Sequence, residues 1–179
     1  MNLPNKLTLL RICLIPVFVI LMLSQVSNFF LISCVIFIIA SITDFLDGKI
    51  ARKYNLVTDF GKFMDPLADK LLVLSALICM IEYDLVAGWM VIIIVARELT
   101  VSILRAIAAD NGKVIAASGG GKIKTTSQMI AIILLLIGAN YSNSQIVFVG
   151  TIAMYIATIF TLYSGIDYLY KNREIGRAS

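Results

Sequence analysis

Long apolar stretches alternate with short polar segments along most of the chain. A helix that crosses the hydrocarbon core of a bilayer needs about 20 predominantly apolar residues. The pattern predicts six such helices, over residues 7–24, 29–48, 63–81, 86–108, 125–140 and 146–169. The fifth stretch is short, and we expect Gly119, Gly120 and Gly121 to lie in the loop before it. Because these helices use nearly all of the 179 residues, we expect one all-α membrane domain over residues 1–179.

The polar segments fall into two classes by their basic residues. Residues 25–28, 82–84 and 141–145 contain no lysine or arginine, whereas the other segments and both ends of the chain contain many. Basic segments stay on the cytoplasmic side of a membrane. We therefore expect both termini to be cytoplasmic in a multi-pass plasma-membrane protein. Lys70, Arg97 and Arg105 lie inside predicted spans, where charges are costly and usually functional.

Composition narrows the possible chemistry. Hydrophobic residues make up 60% of the chain, more than a typical soluble domain contains. Histidine is absent and the three cysteines have no CxxC spacing, so neither a zinc site nor a disulfide framework is indicated. The net charge of +4 is spread over the membrane-flanking segments, and no nucleic-acid partner is expected. Acid–base chemistry must come from carboxylate, lysine, tyrosine or cysteine side chains.

One spaced set of residues begins at the end of the second predicted helix and continues into the third. It has the form D-x2-D-G-x2-A-R, eight residues, then G-x3-D-x3-D, and consists of Asp44, Asp47, Gly48, Ala51, Arg52, Gly61, Asp65 and Asp69. Residues three or four apart share a helix face. Since the loop between the two helices is short, the helices should be antiparallel neighbours, and the four carboxylates should converge at one membrane edge.

Four converging carboxylates would repel one another strongly unless cations lie between them. Oxygen ligands favour Mg²⁺ or Mn²⁺, which commonly bind phosphate groups of a substrate as well. Gly48 would let a nucleotide approach the second helix closely. The alternative is that the aspartates solvate a loop and cap a helix. Eight positions in fixed spacing favour the metal site.

This set of residues resembles the signature of the CDP-alcohol phosphatidyltransferase family. The resemblance implies that Asp44, Asp47, Asp65 and Asp69 bind two divalent ions, Mg²⁺ or Mn²⁺, which hold the diphosphate of CDP-diacylglycerol. It further implies that Asp69 is the general base for the acceptor hydroxyl. Gly48, Ala51 and Arg52, with Gly61, are implied to form the nucleotide site. A homodimer is also implied.

Flanking stretches resemble members of the family whose acceptor is glycerol 3-phosphate. They are residues 2–11, Ile15-Pro16, residues 63–70, Ala96-Arg97-Glu98, and residues 121–126 with Gln128. We expect the acceptor phosphate to be bound by cations and a hydroxyl within or beside these stretches and by the later Arg105. The residues are Thr8, Arg11, Lys62, Arg97, Arg105, Lys122 and Lys124.

Structural alternatives remain for several of these residues. Arg97 could form a structural ion pair, although Arg97 and Glu98 are not expected to satisfy each other because adjacent helical residues point about 100° apart. Arg105 could extend to the lipid head groups, and Lys122 and Lys124 could be ordinary membrane anchors.

Two other functions compete with transfer to glycerol 3-phosphate. A cardiolipin synthase would use the same chemistry with phosphatidylglycerol as acceptor, but a deep cationic pocket favours a soluble phosphate ester. A divalent-cation transporter would place its ligands near the middle of the membrane. Here the four aspartates map to one cytoplasmic edge, as expected for an enzyme acting on a nucleotide head group.

Overall fold

Six helices make up the regular structure of the described part of the chain. The computed structural model describes residues 3–24, 26–53, 59–110 and 119–172, apart from the side chains of residues 3, 4, 47–49, 51–53, 59–63, 66, 110, 119, 120 and 122. The helices are α1 (Leu3–Ser24), α2 (Phe29–Lys53), α3 (Asp59–Ile81), α4 (Gly88–Asp110), α5 (Gly119–Asn140) and α6 (Ser144–Lys171). The predicted all-α fold and the number of helices are confirmed.

Four of the six helices are long and apolar enough to cross a membrane. These candidate spans are Asn5–Ser24, Phe29–Leu46, Ile123–Asn140 and Ser144–Lys171. The helices α3 and α4 have 23 residues each, and charged residues interrupt their apolar sequence. Many outward-facing side chains are large and apolar, as a lipid-facing surface requires, including Ile20, Ile92, Phe148 and Ile166. That α3 and α4 also cross the membrane, which would give six spans, stays a prediction.

The start of α5 differs from the prediction. Gly119, Gly120 and Gly121 were expected in a loop, but they form the first turn of α5, which is 22 residues long. The expectation was wrong because it placed the start of the helix at the start of the apolar residues. The polar first turns of α5 pack against the bundle, since Lys124 is only 5% exposed. This tertiary packing stabilises the helix in a segment for which hydropathy alone predicts no helix.

The helices pack around one apolar core. α1 lies against α2 and α3, α5 pairs with α6 and also contacts α2, and α4 lies against α6 and α3. The centre of the core includes Phe18, Phe37, Leu77, Ile94 and Leu135, each fully buried. This arrangement brings α3, α4 and α5 together around the middle of α4.

The α5–α6 pair depends on close approach of the two backbones. A Cβ atom added at Gly138 would lie 2.8 Å from the backbone nitrogen of Val147, and one added at Gly150 would lie 2.9 Å from Cγ of Leu135. Neither distance leaves room for a side chain. Glycine at these positions therefore allows the tight helix hairpin.

All three connections that the structure describes lie at one end of the bundle. They join α1 to α2, α3 to α4 and α5 to α6, and each contains one non-glycine residue with positive φ, namely Asn28, Asp84 and Ser142. Tyr83 packs its ring on Phe29 and Phe30 and donates its hydroxyl proton to the backbone oxygen of Met22. The helix ends at this side are thus held by aromatic contacts and turn hydrogen bonds. The aspartates of the spaced set lie toward the opposite end.

Candidate active site

The aspartates of the spaced set lie on α2 and α3 near the end where these helices are joined. Asp44 lies in the second half of α2, and Asp65 and Asp69 lie in the first half of α3. All three side chains are partly buried. The side chain of Asp47 is outside the described residues, as are those of Ala51, Arg52, Lys62 and Lys122 and the surroundings of Gly48 and Gly61.

Helix α1 contacts two of these carboxylates. Arg11 has no solvent exposure, and its Nη1 lies 2.6 Å from Oδ1 of Asp44. One turn earlier, Thr8 donates its hydroxyl proton to Oδ1 of Asp65 over 2.5 Å. A guanidinium beside one carboxylate and a hydroxyl on the other lower the cost of holding both in a weakly polar environment. Thr8 and Arg11 were expected to bind the acceptor phosphate; the structure shows them in contact with the carboxylates, and a role in phosphate binding stays a prediction.

Asp69 lines a small, partly open cavity between α3, α4 and α5. The cavity has a volume of about 40 Å³, which is room for roughly three water-sized groups. Its polar lining consists of Asp69 and Lys70 from α3, Glu98 from α4, and Lys124, Thr125 and Gln128 from α5. The remaining wall is apolar and is formed by Val73, Leu74 and Ile94. Two carboxylates and two ammonium groups therefore line one small space.

Glu98 connects the cationic groups around this cavity. Its Oε1 accepts hydrogen bonds from Nζ of Lys124 and, over 3.0 Å, from Nη1 of Arg97. Glu98 is 7% exposed, and a buried carboxylate requires such partners. One carboxylate shared by two cations leaves net positive charge, which suits an anionic ligand.

The pairing of Arg97 with Glu98 corrects the sequence-based expectation. Direct pairing was rejected because neighbouring helical residues point in different directions, yet the two side chains form an ion pair. The long arginine stem spans the angular difference between the two positions. The guanidinium of Arg97 also donates from Nη2 to Oγ of Ser164 over 3.3 Å, which ties α4 to α6.

Lys70 is held by a relay from α3 to α4. Its Nζ donates to Oγ of Ser102, and this hydroxyl donates to the backbone oxygen of Glu98 over 2.5 Å. The two lysines of the cavity are therefore fixed by groups on the same helix, α4. Their ammonium groups are positioned from opposite sides of the cavity, from α3 and α5.

Two of the predicted acceptor residues lie away from this cavity. Arg97 lines a mostly apolar groove of about 230 Å³ between α4 and α6, where its Cγ would be 3.1 Å from a Cβ added at Gly165. Arg105 donates from Nε to the hydroxyl of Tyr168 over 3.3 Å, and its guanidinium lies 5.6 Å from the centre of that ring. Of the predicted acceptor residues whose side chains are described, Lys124 alone lines the cavity with Asp69.

Four polar groups of the cavity were missing from the predicted site, namely Lys70, Glu98, Thr125 and Gln128. Lys70 had been noted as a charge inside a predicted span, and it follows Asp69 directly. Gln128 lies one helical turn after Lys124, so it shares the same face of α5. That spacing was the signal that could have found Gln128.

Comparison with known proteins supplies the family. The sequence pattern of the CDP-alcohol phosphatidyltransferase family matches residues 1–163, which is most of the chain. The chain belongs to this family. The family that the aspartate spacing suggested is thereby confirmed.

Several relatives within the family are similar over nearly their whole length. A protein of Bacillus subtilis (strain 168) is 47% identical, with 99% of this chain and 98% of that protein covered. A protein of Rickettsia typhi is 43% identical over 93% of this chain and 94% of its own length. One from Haemophilus influenzae is 42% identical over 94% and 91%. All three are named CDP-diacylglycerol–glycerol-3-phosphate 3-phosphatidyltransferase.

Proposed function

We propose that this chain transfers the phosphatidyl group of CDP-diacylglycerol to glycerol 3-phosphate, producing phosphatidylglycerol phosphate and CMP. Family membership and the names of its near-full-length relatives support the reaction. The structural observation that carries the proposal is the cavity in which the carboxylate of Asp69 faces the same space as Lys70 and Lys124. A proton acceptor and two phosphate-binding cations are thus available to one small acceptor molecule.

In the proposed reaction, the acceptor hydroxyl attacks the phosphorus that bears the diacylglycerol. The new bond joins that oxygen to phosphorus, the bond from phosphorus to the CMP oxygen breaks, and the hydroxyl proton passes to Asp69. The apolar wall of the cavity limits the access of water, which would otherwise compete as acceptor. No covalent intermediate on the chain is required.

The donor set suits two Mg²⁺ or Mn²⁺ ions held by Asp44, Asp47, Asp65 and Asp69. Carboxylate oxygens are the ligands that these ions prefer. The described side chains, which do not include that of Asp47, contain no group of three or more acidic, cysteine or histidine residues placed to hold a metal. When bound, such ions neutralise charge on the reacting phosphate and on the departing CMP.

Thr8 and Arg11 are proposed to orient the metal-binding carboxylates. Each makes a short contact to one of them, from adjacent turns of the same helix. Groups that hold the ligands of a metal in place commonly matter almost as much as the ligands. The acceptor phosphate is proposed to bind Lys124 and Lys70, with Glu98 fixing Lys124 and Arg97 partly neutralising Glu98.

The remaining features of the proposal follow from sequence and family. Gly48, Ala51, Arg52 and Gly61 are proposed to line the nucleotide site. All six helices are proposed to span the plasma membrane as one domain, with both termini and the aspartates on the cytoplasmic side because the basic segments lie there. Lys62, Lys122 and Arg105 are proposed to attract the anionic acceptor toward the site, and the protein is proposed to be a homodimer.

The test is CMP release by purified protein in detergent with CDP-diacylglycerol and Mg²⁺. Glycerol 3-phosphate, inositol 1-phosphate, serine and phosphatidylglycerol are compared as acceptors. We expect release with glycerol 3-phosphate that Asp69→Asn lowers by at least about 100-fold, the usual scale of a lost general base. Asp167→Asn is the matched control, since Asp167 forms an ion pair with the exposed Lys171 on α6.

Each other outcome of this test has a distinct meaning. Release only with phosphatidylglycerol would support a cardiolipin synthase and overturn the choice of acceptor. If folded protein releases CMP with none of the four acceptors, the transferase proposal would be overturned and metal-ion transport would remain to be tested.

A further inference from the structure

Gln128 is a buried polar residue whose amide nitrogen has no partner. The residue is 1% exposed, and its Nε2 makes no hydrogen bond within the described structure. An unpaired buried donor costs free energy, so buried amide groups are almost always hydrogen-bonded. The nitrogen belongs to a side chain that lines the cavity beside Asp69. A ligand in this cavity would supply the missing acceptor.

Four other polar groups of the cavity, Lys70, Glu98, Lys124 and Thr125, already have hydrogen-bond partners within the chain. Glu98 is bonded to Lys124 and Arg97, and Thr125 donates its hydroxyl proton to the backbone oxygen of Gly121 over 3.0 Å. The lysines are cations, which suit a phosphate. Gln128 is therefore the neutral donor of the cavity that is left to a ligand.

This pattern of groups corresponds to the three polar groups of glycerol 3-phosphate. The attacking hydroxyl needs a proton acceptor, which is Asp69, and the phosphate needs cations, which are Lys124 and Lys70. The middle hydroxyl, on C2, is not consumed in the reaction and needs a neutral partner. An amide N–H suits a hydroxyl oxygen and adds no charge beside the reacting phosphate.

We propose that Gln128 donates a hydrogen bond to the C2 hydroxyl of the acceptor and thereby selects for it. This inference rests on the proposed function and adds a residue that determines specificity. Sites that hydrogen-bond a substrate hydroxyl discriminate against the analogue that lacks it, because the buried protein group is then left unpaired.

The test compares glycerol 3-phosphate with 3-hydroxypropyl phosphate, which lacks only the C2 hydroxyl and keeps the attacking hydroxyl and the phosphate. We expect the wild type to prefer glycerol 3-phosphate by about 10- to 100-fold in kcat/KM, the scale of one buried hydrogen bond. In Gln128→Met, which keeps the length of the side chain, kcat/KM for glycerol 3-phosphate should fall by a similar factor. For 3-hydroxypropyl phosphate it should stay within about threefold, so the preference should disappear.

A purely structural role of Gln128 would lower both activities equally, and this result would overturn the inference. Gln145→Met is the matched control, because Gln145 is exposed at the opposite end of the bundle, and it should keep the wild-type preference. If Gln128→Met does not fold, the wild type still decides: equal use of the two acceptors would overturn the inference while leaving the proposed function intact. Use of neither acceptor would overturn both.

Discussion

The two ends of the helix bundle differ in the side chains that hold the helices together. At the aspartate end, α1 contacts α2 and α3 through Arg11 and Thr8, and α4 contacts α5 through Glu98 and Lys124. At the other end, Tyr83 packs on Phe29 and Phe30. Buried ions are costly to desolvate, whereas aromatic contacts and tight turns stabilise the fold directly. The aspartate end therefore keeps buried charges that do little for stability but suit a bound ligand, whereas the contacts at the other end stabilise the fold.

The largest expected difference between the two ends is their response to loss of divalent ions. Chelation with EDTA should lower CMP release by about 1,000-fold or more, because several kcal/mol of charge stabilisation at the reacting phosphate are lost. Added Mg²⁺ should restore activity and raise the unfolding temperature of the wild type. Undiminished activity in EDTA would contradict the metal site at this end.

A second prediction concerns Glu98, which joins the cations of the cavity. Glu98→Gln removes the charge between Lys124 and Arg97 and should cost about 3 kcal/mol of stability, the scale of breaking a buried ion pair. It should also lower kcat/KM at least about tenfold, because Lys124 loses its fixed position. Thermal unfolding in detergent and CMP release measure the two effects.

Asp167→Asn is the control for this substitution, because it breaks the exposed pair with Lys171 on α6 and should change neither property. If Glu98→Gln were as stable as the wild type, the ion pairs of Glu98 with Lys124 and Arg97 would not stabilise the fold, and the prediction would be wrong.

The third prediction concerns the opposite end and separates stability from activity. Gly138→Ala places a methyl group 2.8 Å from the backbone nitrogen of Val147 and should cost about 1–3 kcal/mol by overpacking the α5–α6 hairpin. The protein that stays folded should have wild-type kcat/KM. Gly88→Ala is the matched control, since nothing lies within 4 Å of its added Cβ. A loss of activity without a loss of stability would contradict the division of roles between the ends.

The smallest expected effect is that of one hydroxyl group. Tyr83→Phe keeps the ring contacts but removes the hydrogen bond to the backbone oxygen of Met22, and it should cost about 1 kcal/mol without a change in activity. The exposed Tyr141→Phe at the same end should have no effect on the unfolding temperature. Equal effects of the two substitutions would show that the Tyr83 hydroxyl does not stabilise the α1–α2 connection.

Hydropathy predicted the six helices well because a bilayer imposes a length on each apolar stretch. It failed at the start of α5, where Lys124 and its neighbours are helical although they are polar. Charged residues pack inside this bundle only because other helices supply their partners. A single stretch of sequence does not contain that information.

The aspartate spacing determined the family and the expected chemistry, because metal-binding carboxylates must recur on one helix face at steps of three or four residues. Lys124, which lines the cavity with Asp69, was included in the predicted site because of its positive charge. The placement of Thr8 and Arg11 on the carboxylates, and of Arg97 in the α4–α6 groove, required the packing of separate helices.

The sequence by itself thus determined the helices, the membrane character and the aspartate signature, since each depends on residues that are close along the chain. The tertiary structure alone decided which side chains share a space with Asp69. Lys70, Glu98 and Gln128 come from three different helices, and only their packing brings together groups that are far apart in sequence.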